Sequence, residues 1–310
     1  MEKTWQGHAA ASFVILVWGS TFVVTKVLLR SFSPTEILAI RFALAAVILL
    51  PAGRGTFRLY GLRTELRLAG AGLAGITAYY LAENGALAAT DSVNVGLIVA
   101  VIPLLTAAAS RLAATGEALR RSFWMGLAVA GAGVVLVVLN GRVLRLNPLG
   151  DLLAFGAALS FAVYSVLMRG VGDGIPPLAA VLRTFAWGLV GALPFLVAER
   201  RVAVPPSVWT RFAEPFVLPS FLFLSALASA VAYALWNRAI AILGAVRANT
   251  YVYTVPLVNA ALSAAFLGER VTLLAAIGGI LIILGVAADG LVPNGRSRPP
   301  RTGSSAKAGS

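Results

Sequence analysis

Cysteine is absent from the 310 residues, histidine occurs once, as His8, and charged residues make up only 12% of the chain. Each lack closes a class of chemistry. Without cysteine there is no disulfide, thiolate ligand or thiol nucleophile. A single histidine near the N-terminus makes a histidine-built metal site or imidazole relay an unpromising reading. Acidic residues are scarce as well, 12 against 25 Lys and Arg, for a net charge of +13. In a soluble protein that imbalance would suggest nucleic acid. With 59% hydrophobic residues and a mean hydropathy of +0.88, it is read instead as arginines at a membrane surface. There is also no Walker-type phosphate loop, no metal-ligand cluster and no nucleophile placed beside a histidine base. An enzyme, a bound cofactor or metal, and ATP-driven pumping by this chain alone are therefore not expected.

What is abundant is apolar sequence in helix-length runs. Segments of ~20 residues suffice to cross a bilayer, and ten are expected, around 9–29, 35–50, 66–88, 93–110, 123–140, 150–168, 178–197, 221–242, 245–267 and 273–288. The fold class is an all-α integral membrane protein. Its second half repeats its first. Tyr80, Asn84 and Pro103 recur as Tyr233, Asn237 and Pro256 at a spacing of 153, and Glu117, Gly126 and Gly133 recur as Glu269, Gly278 and Gly285 at 152. Pro34, Arg41 and Pro51 find Pro176, Arg183 and Pro194 at 142 or 143. Five helices per half is an odd number, so the halves are expected to insert upside down relative to one another, an arrangement found in secondary transporters. The division is residues 1–145, 146–290 and a Pro/Gly/Ser/Arg-rich tail over 291–310, expected to be disordered.

Orientation follows from Lys and Arg. With the N-terminus in the cytoplasm, fifteen fall on the inner side and eight on the outer, Arg41 and Arg183 being intramembrane. Both termini are expected in the cytoplasm, with the protein in the plasma membrane.

Intramembrane polar residues are the candidate site. An ionised side chain at the bilayer centre costs at least ~2.5–3.5 kcal/mol, so Glu83, deep in the third segment, needs a reason: proton coupling, a cation contact, or a silent structural pairing. Arg41 and Arg183 each lie seven residues past a helix-starting proline, and either bind an anionic group or close the bundle. Pro103 and Pro256 are expected as mid-helix kinks that gate a midplane site. Ser20, Thr21, Tyr80, Asn84, Tyr233, Trp236, Asn237 and Tyr251 are candidate substrate contacts, the Asn84/Asn237 amides suiting a zwitterion. Lys26 is expected to snorkel. The glycines of the fifth and tenth segments are expected to pack helices within the monomer or across a homodimer.

Trp18-Gly19-Ser20-Thr21-Phe22, Ile37-Leu38-Ala39-Ile40-Arg41-Phe42, and the run from Trp236 through Pro256 to Leu267-Gly268-Glu269 resemble the EamA-like branch of the drug/metabolite transporter superfamily, over essentially the whole chain to about Gly290. The resemblance implies a ten-helix carrier that exports amino acids or other small metabolites. It carries an arginine at Arg41 and Arg183, and it does not carry a role onto Glu83, where an aromatic or aliphatic residue is usual. The expectation is a secondary exporter of small metabolites, with amino acids first. The alternatives are a broad drug or toxic-compound exporter, a lipid-linked-sugar flippase, or a membrane accessory subunit.

Overall fold

The structure, a computed structural model, describes residues 2–52, 58–112, 124–126, 128–133, 135–136, 147–169, 171, 175–202, 208–243 and 251–290. The tail over 291–310 lies outside the described residues, as does most of the expected fifth segment. Among the described residues every regular element is helical. Helix α1 is Glu2–Leu28, α2 Pro34–Leu49, α3 Leu62–Gly72, α4 Tyr79–Ala89, α5 Ser92–Val99, α6 Ile102–Leu112, α7 Pro148–Arg169, α8 Pro177–Val202, α9 Val208–Phe212, α10 Val217–Leu222, α11 Ala232–Leu243, α12 Val255–Leu267 and α13 Leu273–Gly290. Among the described residues five stretches are long and apolar enough to cross a membrane: Thr4–Leu28, Pro34–Ala52, Pro148–Met168, Pro177–Glu199 and Val217–Trp236. The fold is thus an all-α, multi-pass membrane fold. Large apolar side chains such as Leu16, Val47, Leu152, Leu193, Phe266 and Leu284 point outward, as lipid contact requires.

Helices from the two halves of the chain interleave. α1 packs on α11 and α12, α4 on α7, and α2 and α3 on α8. Gly126 and Gly133 lie directly against Gly285 and Gly278 of α13, so these glycines pack helices within the chain.

Two departures from helical regularity shape the centre. The helix from Leu62 to Ala89 passes through a π-helical stretch at Leu73–Ala78, and the one from Val217 to Leu243 through another at Phe223–Val231. At the 153-residue spacing the first falls within the second. Wider π turns displace backbone carbonyls and re-aim side chains. The second departure concerns the prolines. The expected continuous helix over 93–110 is broken at Ala100–Val101, and Pro103 sits in the first turn of α6. Pro256 likewise sits in the first turn of α12, after a 3-10 turn at Tyr251–Thr254. Pro103 does not kink a continuous helix: a first-turn proline lacks an N–H that would have no helical partner anyway. Ahead of Pro256 the 3-10 turn passes directly into α12, and residues 244–250 lie outside the described residues.

One end of the molecule is cross-tied by charge. Ser33 and Glu36 form a capping box at the start of α2, each accepting the other's backbone N–H at 3.1 Å. Arg211 of α9 then donates to both Glu36 oxygens at 2.7 and 2.8 Å, and lies 4.3 Å over the Phe32 ring. Ser33 and Thr35 hydroxyls each donate to Glu199 of α8 at 2.7 Å. Removing one partner from a buried pair costs about 3–5 kcal/mol, while replacing both with apolar groups is far milder. Glu36→Gln is therefore expected to lower the melting temperature of purified protein sharply, and the Glu36→Met/Arg211→Met double variant to recover most of it.

Candidate functional site

At the centre, polar groups meet inside an aromatic cage. Trp18 of α1 packs on Tyr233 and Trp236 of α11, with ring centroids 5.7 and 5.1 Å apart. Phe42 packs edge-on to Tyr80 at 4.7 Å and to Phe185 at 4.8 Å, and Phe185 reaches Tyr233 at 5.6 Å. The repeat-related tyrosines, Tyr80 and Tyr233, thus share one cluster drawn from both halves.

The charges lie within it. Arg41, 2% exposed, donates from Nε to Ser229 Oγ at 2.8 Å and holds its guanidinium 4.6 Å over the Tyr80 ring. Glu83, 5% exposed, accepts from the Tyr79 hydroxyl at 2.7 Å. No ion pair joins Arg41 to Glu83 among the described residues. The second π stretch serves this site twice, through Ser229 for Arg41 and through the Ala228 carbonyl, which accepts from Trp18 Nε1 at 3.1 Å. Ser229 was missed by sequence reasoning. Its signal was the Ser225/Ser229 pair, four apart on an otherwise apolar helix.

The other expected residues divide. Asn84, beside Glu83, donates to the Pro34 carbonyl at 3.0 Å and leaves its buried Oδ1 without a partner. Ser20 and Thr21 donate back to the Val17 and Trp18 carbonyls of their own helix at 2.7 Å. Tyr251 stands apart, its hydroxyl 2.6 Å from His8 Nδ1, ten residues or about 15 Å along α1 from Trp18. Arg183 does not repeat Arg41: it pairs with Glu65 of α3. The side chain of Asn237 lies outside the described residues.

A second cluster stands eight residues, about 12 Å, beyond Trp18 along α1 and just past the end of α4. Lys26 reaches Glu269 at 3.1 Å, Asp91 at 3.8 Å and the Thr90 carbonyl at 2.6 Å. It forms cross-links instead of snorkelling. Glu269 in turn accepts from the Ser92 and Val93 N–H groups and the Ser92 hydroxyl, each at 3.1 Å, so its carboxylate caps α5. Gly268 aims it there: the chain leaves α12 at φ +68°, a conformation that suits glycine. Asn259 and Ser263 of α12 close the other side through Ser92. Burial, then Glu269, push the Asp91 carboxyl above the usual range, and Lys26 opposes them. The cluster ties α1, the α4–α5 turn and the end of α12 together.

A buried, charge-bearing cage thus lies between the halves, with a polar cluster beyond it. The model of the EamA-like transporter family matches residues 5–139 and again 148–288. The chain belongs to the EamA-like transporter family. The uncharacterized transporter YyaM of Bacillus subtilis is 30% identical over 86% of this chain and 88% of that one. A probable amino-acid metabolite efflux pump of Escherichia coli is 28% identical over 89% of this chain and 92% of its own length. A crystal structure 23% identical shares the fold, with a TM-score of 0.58 over 94% of this chain and 97% of that chain. Membership of this family makes the EamA-like chain a membrane transporter and not an enzyme.

Proposed function

We propose that the protein is a secondary transporter that exports small zwitterionic metabolites, amino acids first, across the plasma membrane, with both termini in the cytoplasm. Ten helices in two inverted five-helix halves, residues 1–145 and 146–290, rock around the cage between them, bending at the break before Pro103 and at the 3-10 turn before Pro256. The observation that carries this reading is the placement of Arg41 and Glu83, buried and unjoined, in one aromatic cage. A zwitterion presents a carboxylate and an ammonium a few ångströms apart. Arg41 offers the fork for the first. Glu83, the free Asn84 Oδ1 and the faces of Trp18, Tyr80, Tyr233 and Trp236 offer acceptors and π surfaces for the second. The name of the E. coli relative agrees with this substrate class.

Glu83 also supplies a coupling device. When the substrate ammonium leaves, the carboxylate is left in a low-dielectric site and takes a proton in its place, so outward substrate movement exchanges for inward proton movement. The test is chemical. In competition against a labelled amino acid, the methyl ester and the N-acetyl derivative should each bind at least ~10-fold more weakly than the parent, since each strands one buried charge. The aromatic walls favour one second reading, a broad exporter of drug-like cations. Equal competition by unrelated aromatic cations, with no penalty for the derivatives, would support that instead.

A further inference from the structure

A groove on the outer surface, where α3 meets α7, belongs to no part of the proposed transport site. It holds about 420 Å³ and is lined by Leu62, Arg63, Leu66, Arg67 and Leu167. Leu167 is the last residue but one of the membrane-crossing stretch Pro148–Met168, so this wall stands where hydrocarbon gives way to headgroups. The other wall agrees in depth. Arg67 lies twelve residues, about 18 Å, from Tyr79 of the cage along the helix that continues from α3 through the π stretch into α4. Half the hydrocarbon core is about 15 Å thick. With the cage at the bilayer centre, the two arginines stand at the level of the lipid phosphates.

The walls carry two kinds of chemistry side by side. Leu62 and Leu66 are 77% and 63% exposed, and Arg63 and Arg67, four apart, stand one turn from each other on the same helix face. Helix stability does not ask for Arg63, because a cation in the first turn opposes the helix dipole. Nor does a nearby acid. Glu65, the one acidic residue between positions 58 and 69, is paired with Arg183 of α8 and accepts the Tyr60 N–H at 3.1 Å. Arg58, Arg63, Arg67 and Arg183 thus share one carboxylate among the described residues of this segment. A soluble anion would answer the arginines and leave the leucines wet, and a neutral lipid would do the reverse. An amphiphile with a negative head answers both. We propose that this groove seats one acidic phospholipid of the bilayer, with its phosphate on the forks of Arg63 and Arg67 and an acyl chain along Leu62, Leu66 and Leu167. Because α3 and α7 come from different halves of the chain, the seated lipid touches both. The seat needs only that the chain lie in a bilayer, whatever solute it carries.

The test uses purified full-length protein in detergent with no solute present. Phosphatidylglycerol and phosphatidylcholine with identical acyl chains are titrated separately and followed by thermal melting. A ligand bound only by the folded state raises the melting temperature with the logarithm of its concentration. Wild type should be stabilised by phosphatidylglycerol at concentrations where phosphatidylcholine has no effect. Arg63→Gln should need about 5-fold more phosphatidylglycerol for the same rise, and Arg63→Gln/Arg67→Gln about 25-fold more, as the loss of one and of two charges at the headgroup level implies. The control is Arg30→Gln/Arg270→Gln. It removes the same charge from exposed positions beside the Lys26 cluster, at the far end of the helix that begins with α3, and should respond as wild type does. Glycerol phosphate, the headgroup without its chains, should not stabilise at these concentrations. Native mass spectrometry then counts the lipid: one phosphatidylglycerol should stay on wild type and be lost from Arg63→Gln/Arg67→Gln. Equal stabilisation by the two lipids, equal weakening in the two double variants, or equal protection by glycerol phosphate alone would overturn the seat. Absence of amino-acid flux would leave these results standing and count only against the function proposed above.

Discussion

Glu83→Gln is expected to abolish pH-driven export while leaving substrate exchange between two pools of amino acid measurable. The carboxylate is buried at 5% exposure and is bonded by Tyr79 at 2.7 Å. Glutamine keeps the side-chain oxygen that accepts this bond, so the cage should fold as before. It cannot take up or release a proton. A carrier that must exchange protons for substrate on the empty return step then stalls, whereas a loaded carrier can still cycle back loaded. Each pH unit drives at most about 10-fold accumulation per proton, and the variant should show none above the level without a gradient. If its pH dependence matches that of wild type, Glu83 is a structural residue and the coupling proton resides elsewhere.

Arg41→Lys should weaken substrate binding by ~10- to 100-fold at nearly unchanged protein yield. Lysine keeps the charge but cannot bond Ser229, lie flat over Tyr80 and present a fork to a carboxylate at once. The repeat-related Arg183 is the internal control. It faces Glu65 and not the cage, so Arg183→Lys should leave affinity unchanged and register only in thermal stability. Affinity loss of equal size in both variants, or in neither, would remove Arg41 from the substrate contacts.

How much of this was legible in the sequence depends on the kind of interaction. Buried charge is legible, because its cost singles out Glu83 and Arg41 in an apolar run whatever they touch. Five helices of membrane-crossing length were legible from apolar run lengths, and the starts at Pro34 and Pro177 from their proline signals. The divergence of Arg41 and Arg183 was not. Their surroundings repeat in spacing, but Ser229 corresponds to Ile76 and Glu65 to Leu218, so the partners are not duplicated even though the arginines are. The π stretches could not be foreseen either, since an apolar helix reads alike with or without one widened turn. Lys26 was misjudged for a related reason: its partner Glu269 is 243 residues away and is delivered by the positive-φ turn at Gly268. Pro103 was misread, because a proline in an apolar run is equally consistent with a kink and with a new first turn.

The most direct test of the account is flux through purified protein in sealed proteoliposomes, with a panel of labelled amino acids and an imposed pH gradient. The account predicts accumulation of a recognisable group of zwitterions that follows the gradient, collapses with a proton ionophore, and is lost in Glu83→Gln. Gradient-independent flux of unrelated aromatic cations, or no amino-acid flux from protein shown to be folded, would contradict it.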